Sequence, residues 1–458
     1  MAIGRRKSAR QAGLWVSTSD LARSPGHPFY ERVNGLLAKA GFDNFVEGRC
    51  AKFYAEKMGR PGLAPGVYVR MLLVGYFEGL DSERGIAWRC ADSLALRGFL
   101  GLTLSESPAD HSTVSRTRRL IDLETHAEIF GFVLKLLAEQ GLISGKTIGV
   151  DATTLEANAA MKSIVRRDDG QSYKDFLTSL AKESGIETPT REDLARIDRN
   201  RGKKGSNDDW VNPHDPDAQI TKMKDGSTHL AHKAEHAVDM ESGAVLAVTI
   251  QPGATGDTTS VYETLAAATE NIVALLKDPT VAEKISAEAC GEFVADKGYH
   301  SNDTISALSD IGTRSYISEP KRGRRQWRGE TSTRDAVYAN RRRMQGDRGK
   351  ALMRRRGEYL ERPFAHCLES GGMRRVHLRR CENIAKRYLV HVAACNLGLL
   401  MRTLFGKGTP RGLRGLAEAV RALAAACVRV MTAIRTLVSH LANLRTRFLQ
   451  PVPLPAVA

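Results

Sequence analysis

Two short stretches decide the fold: KTIGVDATT, residues 146–154, and EFVADKGYHS, residues 292–301. Each is a brief apolar run that ends in an aspartate, Asp151 in the first and Asp296 in the second. Gly145 precedes the first run, and the Ile/Val content predicts a buried strand. A strand end lifts a side chain from the core to the rim of a sheet, where ligands bind. One strand-ending aspartate is most often a turn former. Two of them in one alternating region suggest sheet neighbours that serve a common site.

Working outward, residues 28–140 read as helical. GVYVRMLLVGYFEGL and HAEIFGFVLKLLAEQGL repeat apolar residues at three- and four-residue steps, and LSESPADHS breaks the pattern. Downstream of Asp151, residues 157–228 are polar and too long for an ordinary connection, which makes them an insertion or a flexible flap. HLAHKAEHAVDM and AVLAVTIQPG, joined by ESG, predict a hairpin. A helix over 258–276, a helix at SNDTISALSDIG and a strand at RSYISEP complete an alternating order. The expectation is an α/β fold, a sheet covered by helices, with helical regions at either end. Asp239 ends a strand-like run and is read as a turn residue. His214, Asp215, Asp217 and His229 form a polar cluster without metal-ligand spacing and are read as a structured loop.

Residues 321–356 form a basic tract with fourteen Lys or Arg against three acids. The helix after it, GEYLERPFAHCLES, brings a third carboxylate, with Glu361 and Glu358 as rivals three residues apart on one face. Three carboxylates at one place repel one another unless divalent cations neutralise them. Two Mg²⁺ ions in such a site activate a hydroxyl or water and stabilise the leaving oxygen of an in-line displacement.

At these residues the chain resembles bacterial insertion-sequence transposases of the DDE type. The resemblance rests on GVDATTLEANA, VADKGYHS, ERPFAH and GGMRRVHLRRCENIAKRYLVHVAACNLGLLMR, in that order, together with NPHDPDAQITKMKDGSTHLAHKAEHAVDMESGAV. It covers roughly residues 30 to 405. It implies an RNase H-like catalytic core over 141–405, a helical DNA-binding domain over 28–140, and Asp151, Asp296 and Glu361 as catalytic acids. It also implies two Mg²⁺ or Mn²⁺ ions, cleavage at transposon ends followed by strand transfer into target DNA, and a dimer that pairs two ends. One departure concerns DNA grip: related chains often carry a Lys seven residues after the glutamate, and Leu368 stands there. Glu361 rather than Glu358 is the match. The alternatives are a metal-dependent nuclease without strand transfer and a non-catalytic DNA-binding protein.

Charge agrees with a polyanionic partner. Lys plus Arg number 68 against 52 Asp plus Glu, a net charge of +16, and chains this basic usually meet nucleic acid. Candidate DNA contacts are Lys297 and Tyr299 beside the second acid, and Arg324, Arg325, Arg354, Arg355 and Arg356 in the basic tract. Trp327 and Tyr338 interleave with that tract and can stack on unpaired bases. Arg374, Arg375, Arg379 and Arg380 form a second cluster. In SPADHSTVSRTRRL a cap at Asp110 or Ser112 precedes a helix carrying Arg116, Arg118 and Arg119. It reads equally as a recognition helix or an ordinary surface helix. The seven cysteines form no CxxC pair, so neither disulfides nor zinc are expected. No apolar signal segment is read in the basic tail 1–27, and the extension 406–458 reads as amphipathic rather than membrane-spanning. The expected location is the bacterial cytoplasm, at the nucleoid.

Overall fold

The computed structural model describes residues 27–55, 62–202, 205–223, 226–321, 323, 327 and 329–411. Arg324, Arg325, the basic tail and nearly all of the C-terminal extension lie outside the described residues.

The N-terminal third is a helical bundle: α1 (Pro28–Lys39), α2 (Phe42–Cys50), α3 (Pro65–Glu78), α4 (Glu83–Asp92), α5 (Leu94–Phe99), α6 (His111–Leu120) and α7 (Leu123–Glu139). Local chemistry sets the starts. Proline occupies the first turn of α1 and α3, where its missing N–H costs nothing. Side-chain oxygens of Ser82, Asp110 and Asp122 cap α4, α6 and α7. In α3 eleven of fourteen residues are buried, so it is the bundle's central helix rather than an amphipathic surface one.

The sheet follows. β1 (Thr147–Glu156) leads to an insertion holding β2 (Val165–Arg166), α8 (Tyr173–Glu183), α9 (Arg191–Asn200), β3 (Trp210–Val211) and β4 (Gln219–Lys222). The insertion is an ordered unit rather than a loose flap. Ala157, Ile164, Trp210, Ala218 and Leu230 form its own small apolar core, and Tyr173 and Phe176 meet the Trp210 ring edge-on at 5.2 and 5.3 Å.

β5 (Thr228–Asp239) and β6 (Val245–Pro252) form the expected hairpin, then come α10 (Asp257–Lys277), β7 (Glu292–Ala295), α11 (Asn302–Asp310) and β8 (Arg314–Ile317). In space the strands run β6, β5, β1, β7, β8, with β4 pairing the first stretch of β5. β6 and β1 each run antiparallel to β5 between them, whereas β1, β7 and β8 are parallel. The fold is therefore mixed α/β around a mixed sheet. α10 covers one face, where Lys233 of β5 reaches Ser260. The other face carries α13 (Asp347–Ala365) and α14 (Cys381–Phe405), which follow α12 (Thr331–Gln345).

Most of the basic tract is thus two helices rather than a loop. Gly349 permits their tight junction, since a Cβ there would lie 2.3 Å from the Arg343 carbonyl oxygen. Gly149 does the same for α13 on β1: a Cβ would meet Met240 Sδ at 2.5 Å and the Leu360 methyls at 3.0 and 3.2 Å. Past Pro363, which cannot donate to the helix ladder, α13 widens into a π turn over His366–Ser370.

α14 is long and apolar enough to cross a membrane, alone among the described residues, but two-thirds of its apolar window is buried. It packs against α3 and α7 on one side and β6 on the other. One apolar core consequently runs from Phe29 in the bundle through the sheet to Met401. The six described cysteines are all free thiols.

Candidate active site

The parallel register sets the two aspartates level. Thr147 pairs with Glu292, Ile148 with Phe293 and Gly149 with Val294. Continuing two residues along each strand brings the count to Asp151 and Asp296. Neighbouring strands lie about 4.8 Å apart, so the two residues stand side by side, Asp296 just past the end of β7 and Asp151 within β1, which runs on to Glu156 rather than ending at the aspartate as expected. Asp151 is held by its neighbour's amide, Ala152 N–H to Oδ1 at 2.9 Å, and by Arg356 Nη1 to Oδ2 at 3.2 Å. Asp296 caps the 3-10 turn Lys297–Tyr299, accepting from Gly298 N–H at 2.7 Å.

α13 crosses above them. Leu360 lies over Gly149, and Phe364 stacks on His236, the residue paired with Asp151, at 4.0 Å. Arg348 reaches Glu292 at the start of β7, and Tyr359 sits against Gly243 in the β5–β6 turn. On the other flank, Met353 meets Ser318, just past the end of β8. At about 100° per residue, Glu361 falls on the flank opposite Tyr359, the side toward the strand ends. Glu358 points away from the sheet and pairs with Arg362 at 2.8 Å. Glu361 itself is exposed. Among the described residues no three His, Cys, Asp or Glu groups stand together as a metal site. Asp151 and Asp296 offer the hard oxygen donors that Mg²⁺ or Mn²⁺ takes, Arg356 balances the charge of Asp151, and Glu361 is not gathered with them into one cluster.

A second charged group underlies the rim on the α10 face, unanticipated from sequence. Lys233 Nζ contacts Asp257 at 2.6 Å and Glu235 at 3.6 Å. Glu235, fully buried, accepts from Ser260, Thr264 and the Tyr299 hydroxyl at 2.6, 2.5 and 2.8 Å. A Cβ on Gly298 would lie 2.4 Å from Asp257 Oδ2 and 3.0 Å from Asp296 Oδ1, so both carboxylates abut this glycine. The available signal was KAEH within β5: polar residues alternate on both faces of a central strand, which a purely structural strand avoids.

Two expected DNA contacts are corrected. Tyr299 is 1% exposed; the 3-10 turn swings its ring under the sheet to Glu235, and burial, reinforced by the acids around it, pushes its hydroxyl pKa far up. Arg118 is also buried, paired with Glu83 of α4. Lys297, Arg116, Arg119, Arg354 and Arg355 are exposed, and Arg355 lies over the Tyr359 ring at 5.3 Å. Trp327 packs on the core and on Tyr338, with ring centres 6.2 Å apart, and Arg341 covers Tyr338 at 4.9 Å. Those faces are occupied within the protein.

The other polar clusters are architectural. Asp239 accepts four backbone N–H groups, from Ser144, Gly145, Glu241 and Ser242, while burial raises its pKa. Asp215 accepts from Arg380 N–H and contacts His232, and Asp217 accepts from Cys381 N–H. The pair closes the N-terminus of α14, whose lead residue Arg380 has a positive φ of 69°.

No curated protein and no solved structure matches the chain. Residues 19–120, which include α1 to α6, match the family model described as Transposase domain (DUF772). Over those residues the chain resembles a transposase domain.

Proposed function

We propose that this chain is a transposase that cuts DNA at transposon ends and joins the freed ends to target DNA, using Asp151, Asp296 and Glu361 on an RNase H-like core. The observation that carries the reading is the level placement of Asp151 and Asp296 on neighbouring parallel strands; Glu361 enters by its match to the family motif. The strand order β6, β5, β1, β7, β8 supports it, an antiparallel hairpin feeding three parallel strands. Asp151, Asp296 and Glu361 would hold two Mg²⁺ or Mn²⁺ ions, which when bound polarise the phosphodiester and stabilise the leaving oxygen.

The reaction has two parts. Water attacks the phosphodiester at the element's end, the P–O3′ bond breaks, and a 3′-hydroxyl is freed. That hydroxyl then attacks a target phosphodiester, forming one P–O bond as another breaks, with no net redox change. Lys297, exposed beside Asp296, and Arg354, Arg355, Arg116 and Arg119 grip backbone phosphates, a sequence-independent and salt-sensitive contact. Arg356 steadies Asp151 and holds the rim's charge until DNA and cations arrive. Two protomers would pair the two ends, in the cytoplasm where bacterial DNA lies.

The test is cleavage of duplex bearing the element's ends by wild type, Asp151→Ala and Asp296→Ala with Mg²⁺. Both variants should lose cleavage while keeping DNA binding; equal cleavage by all three removes the assignment. Joined products in the wild-type reaction separate a transposase from a simple nuclease.

A further inference from the structure

A cavity of about 400 Å³ opens where the helical bundle meets the end of β1, lined among others by Asp81, Arg84, His111, Asn158 and Arg387. Such a volume lies within the usual range for small-ligand sites. Its wall contains a buried cation with spare capacity. Arg387 is 2% exposed; one guanidinium nitrogen donates to Leu80 O at 3.1 Å, and its Nε has no hydrogen-bond partner. Arg118, 5% exposed, is close enough to Arg387 that the two guanidiniums repel, and its Nε is likewise unpartnered. Burial brings each down to about 10, which still leaves both charged at neutral pH.

The acids nearby are already engaged. Glu83 pairs with Arg118, and Asp81 contacts His377 at 3.1 Å. Arg84 and His111, both exposed, stand at the rim. Two helices also begin here, α4 at Glu83 and α6 at His111, and helix N-termini favour anions. A buried guanidinium with an unused donor, in the wall of a cavity flanked by two helix starts, favours an anion there.

The geometry points to a phosphate-binding pocket at Arg84, His111 and Arg387, filled by a backbone phosphate of the DNA substrate or by free phosphate. Where the phosphate comes from DNA, the inference rests on the DNA-acting function proposed above. Asn158 lies seven residues beyond Asp151, so the pocket is no more than about 25 Å from the catalytic rim along the chain. That is within one turn of a duplex, about 34 Å, so one DNA end can reach both.

The experiment uses the full chain, wild type and Arg84→Ala/His111→Ala, which alters only exposed rim residues, together with Arg387→Lys. Two readouts are taken: melting temperature in inorganic phosphate against chloride at equal ionic strength, and the salt dependence of affinity for a 30-base-pair duplex, about three turns long. If DNA supplies the phosphate, the double variant should lose the phosphate-induced rise in Tm, and its log Kd against log salt slope should fall by about 1. Loss of the Tm rise with an unchanged slope assigns the pocket to free phosphate. Arg387→Lys, which keeps the charge without the fork, should weaken the rise in Tm. The proposal is overturned if phosphate does not raise the wild-type Tm, or raises it equally in the double variant. Asp151→Ala should behave as wild type in both readouts, so failure of the catalytic reading leaves this test legible.

Discussion

Asp151 and Asp296 each stand four residues beyond a paired couple, Thr147 and Glu292, on adjacent parallel strands. Their common height on the sheet is fixed by backbone pairing, not by any contact between them. A change that shifts that register, or lifts the helix laid across it, should therefore harm activity before it unfolds the protein.

Gly149→Ala is the sharpest case. A methyl group would be driven into Met240 and Leu360, an overpacking that costs about 1–3 kcal/mol. Displaced α13 would carry Arg356 and Glu361 away from the rim. The expected outcome is a melting temperature lowered by a few degrees and cleavage lowered at least tenfold at a temperature where the variant stays folded. Near-normal cleavage would show that the position of α13 is immaterial.

Tyr299→Phe keeps the ring but leaves buried Glu235 one donor short. The loss should cost about 1–3 kcal/mol in urea denaturation. Because the hydroxyl points into the protein, the salt slope of DNA binding should not change. A slope lowered by about 1 would instead restore Tyr299 as a phosphate contact.

Acid should destabilise the fold through three buried histidines. Burial holds His126 at about 4 and His236 and His391 at about 3, against about 6.5 in the unfolded chain. Between these values the unfolded state binds more protons, so stability rises with pH and falls as pH drops below 6.5. Each histidine adds up to about 1.4 kcal/mol per pH unit. Urea midpoints from pH 7 to 4.5 should fall accordingly, and His391→Gln should flatten the slope. A midpoint independent of pH in that window is incompatible with neutral buried imidazoles.

Trp210→Ala should empty the insertion's small core at a local cost of about 3–5 kcal/mol. Proteolysis should then begin within residues 157–228 while the main core melts as before. Unchanged protease resistance would mean that this core does not hold the insertion together.

Sequence pattern showed both strands but only one of the two ends: β7 closes just before Asp296, whereas β1 runs on past Asp151 to Glu156, held by its pairing with β5. The pattern could not show that Asp151 and Asp296 are level, since parallel pairing joins residues 145 positions apart. Arg118 looked like its neighbours Arg116 and Arg119. Only α6's packing turns it inward, toward Glu83, thirty-five residues upstream. Tyr299 failed for a similar reason: a 3-10 turn after Asp296 breaks the strand's alternation and sends the ring back under the sheet. The insertion's order rests on Trp210 gathering scattered Ala, Ile and Leu residues, too sparse for periodicity to register.

Because α14 fastens bundle and sheet into a single solid, no tether separates the helices from the rim. On the proposed function the chain would act as a ruler: a duplex seated on the helices would be presented to the rim at a fixed offset, and any mismatch in length would have to be absorbed by bending the DNA.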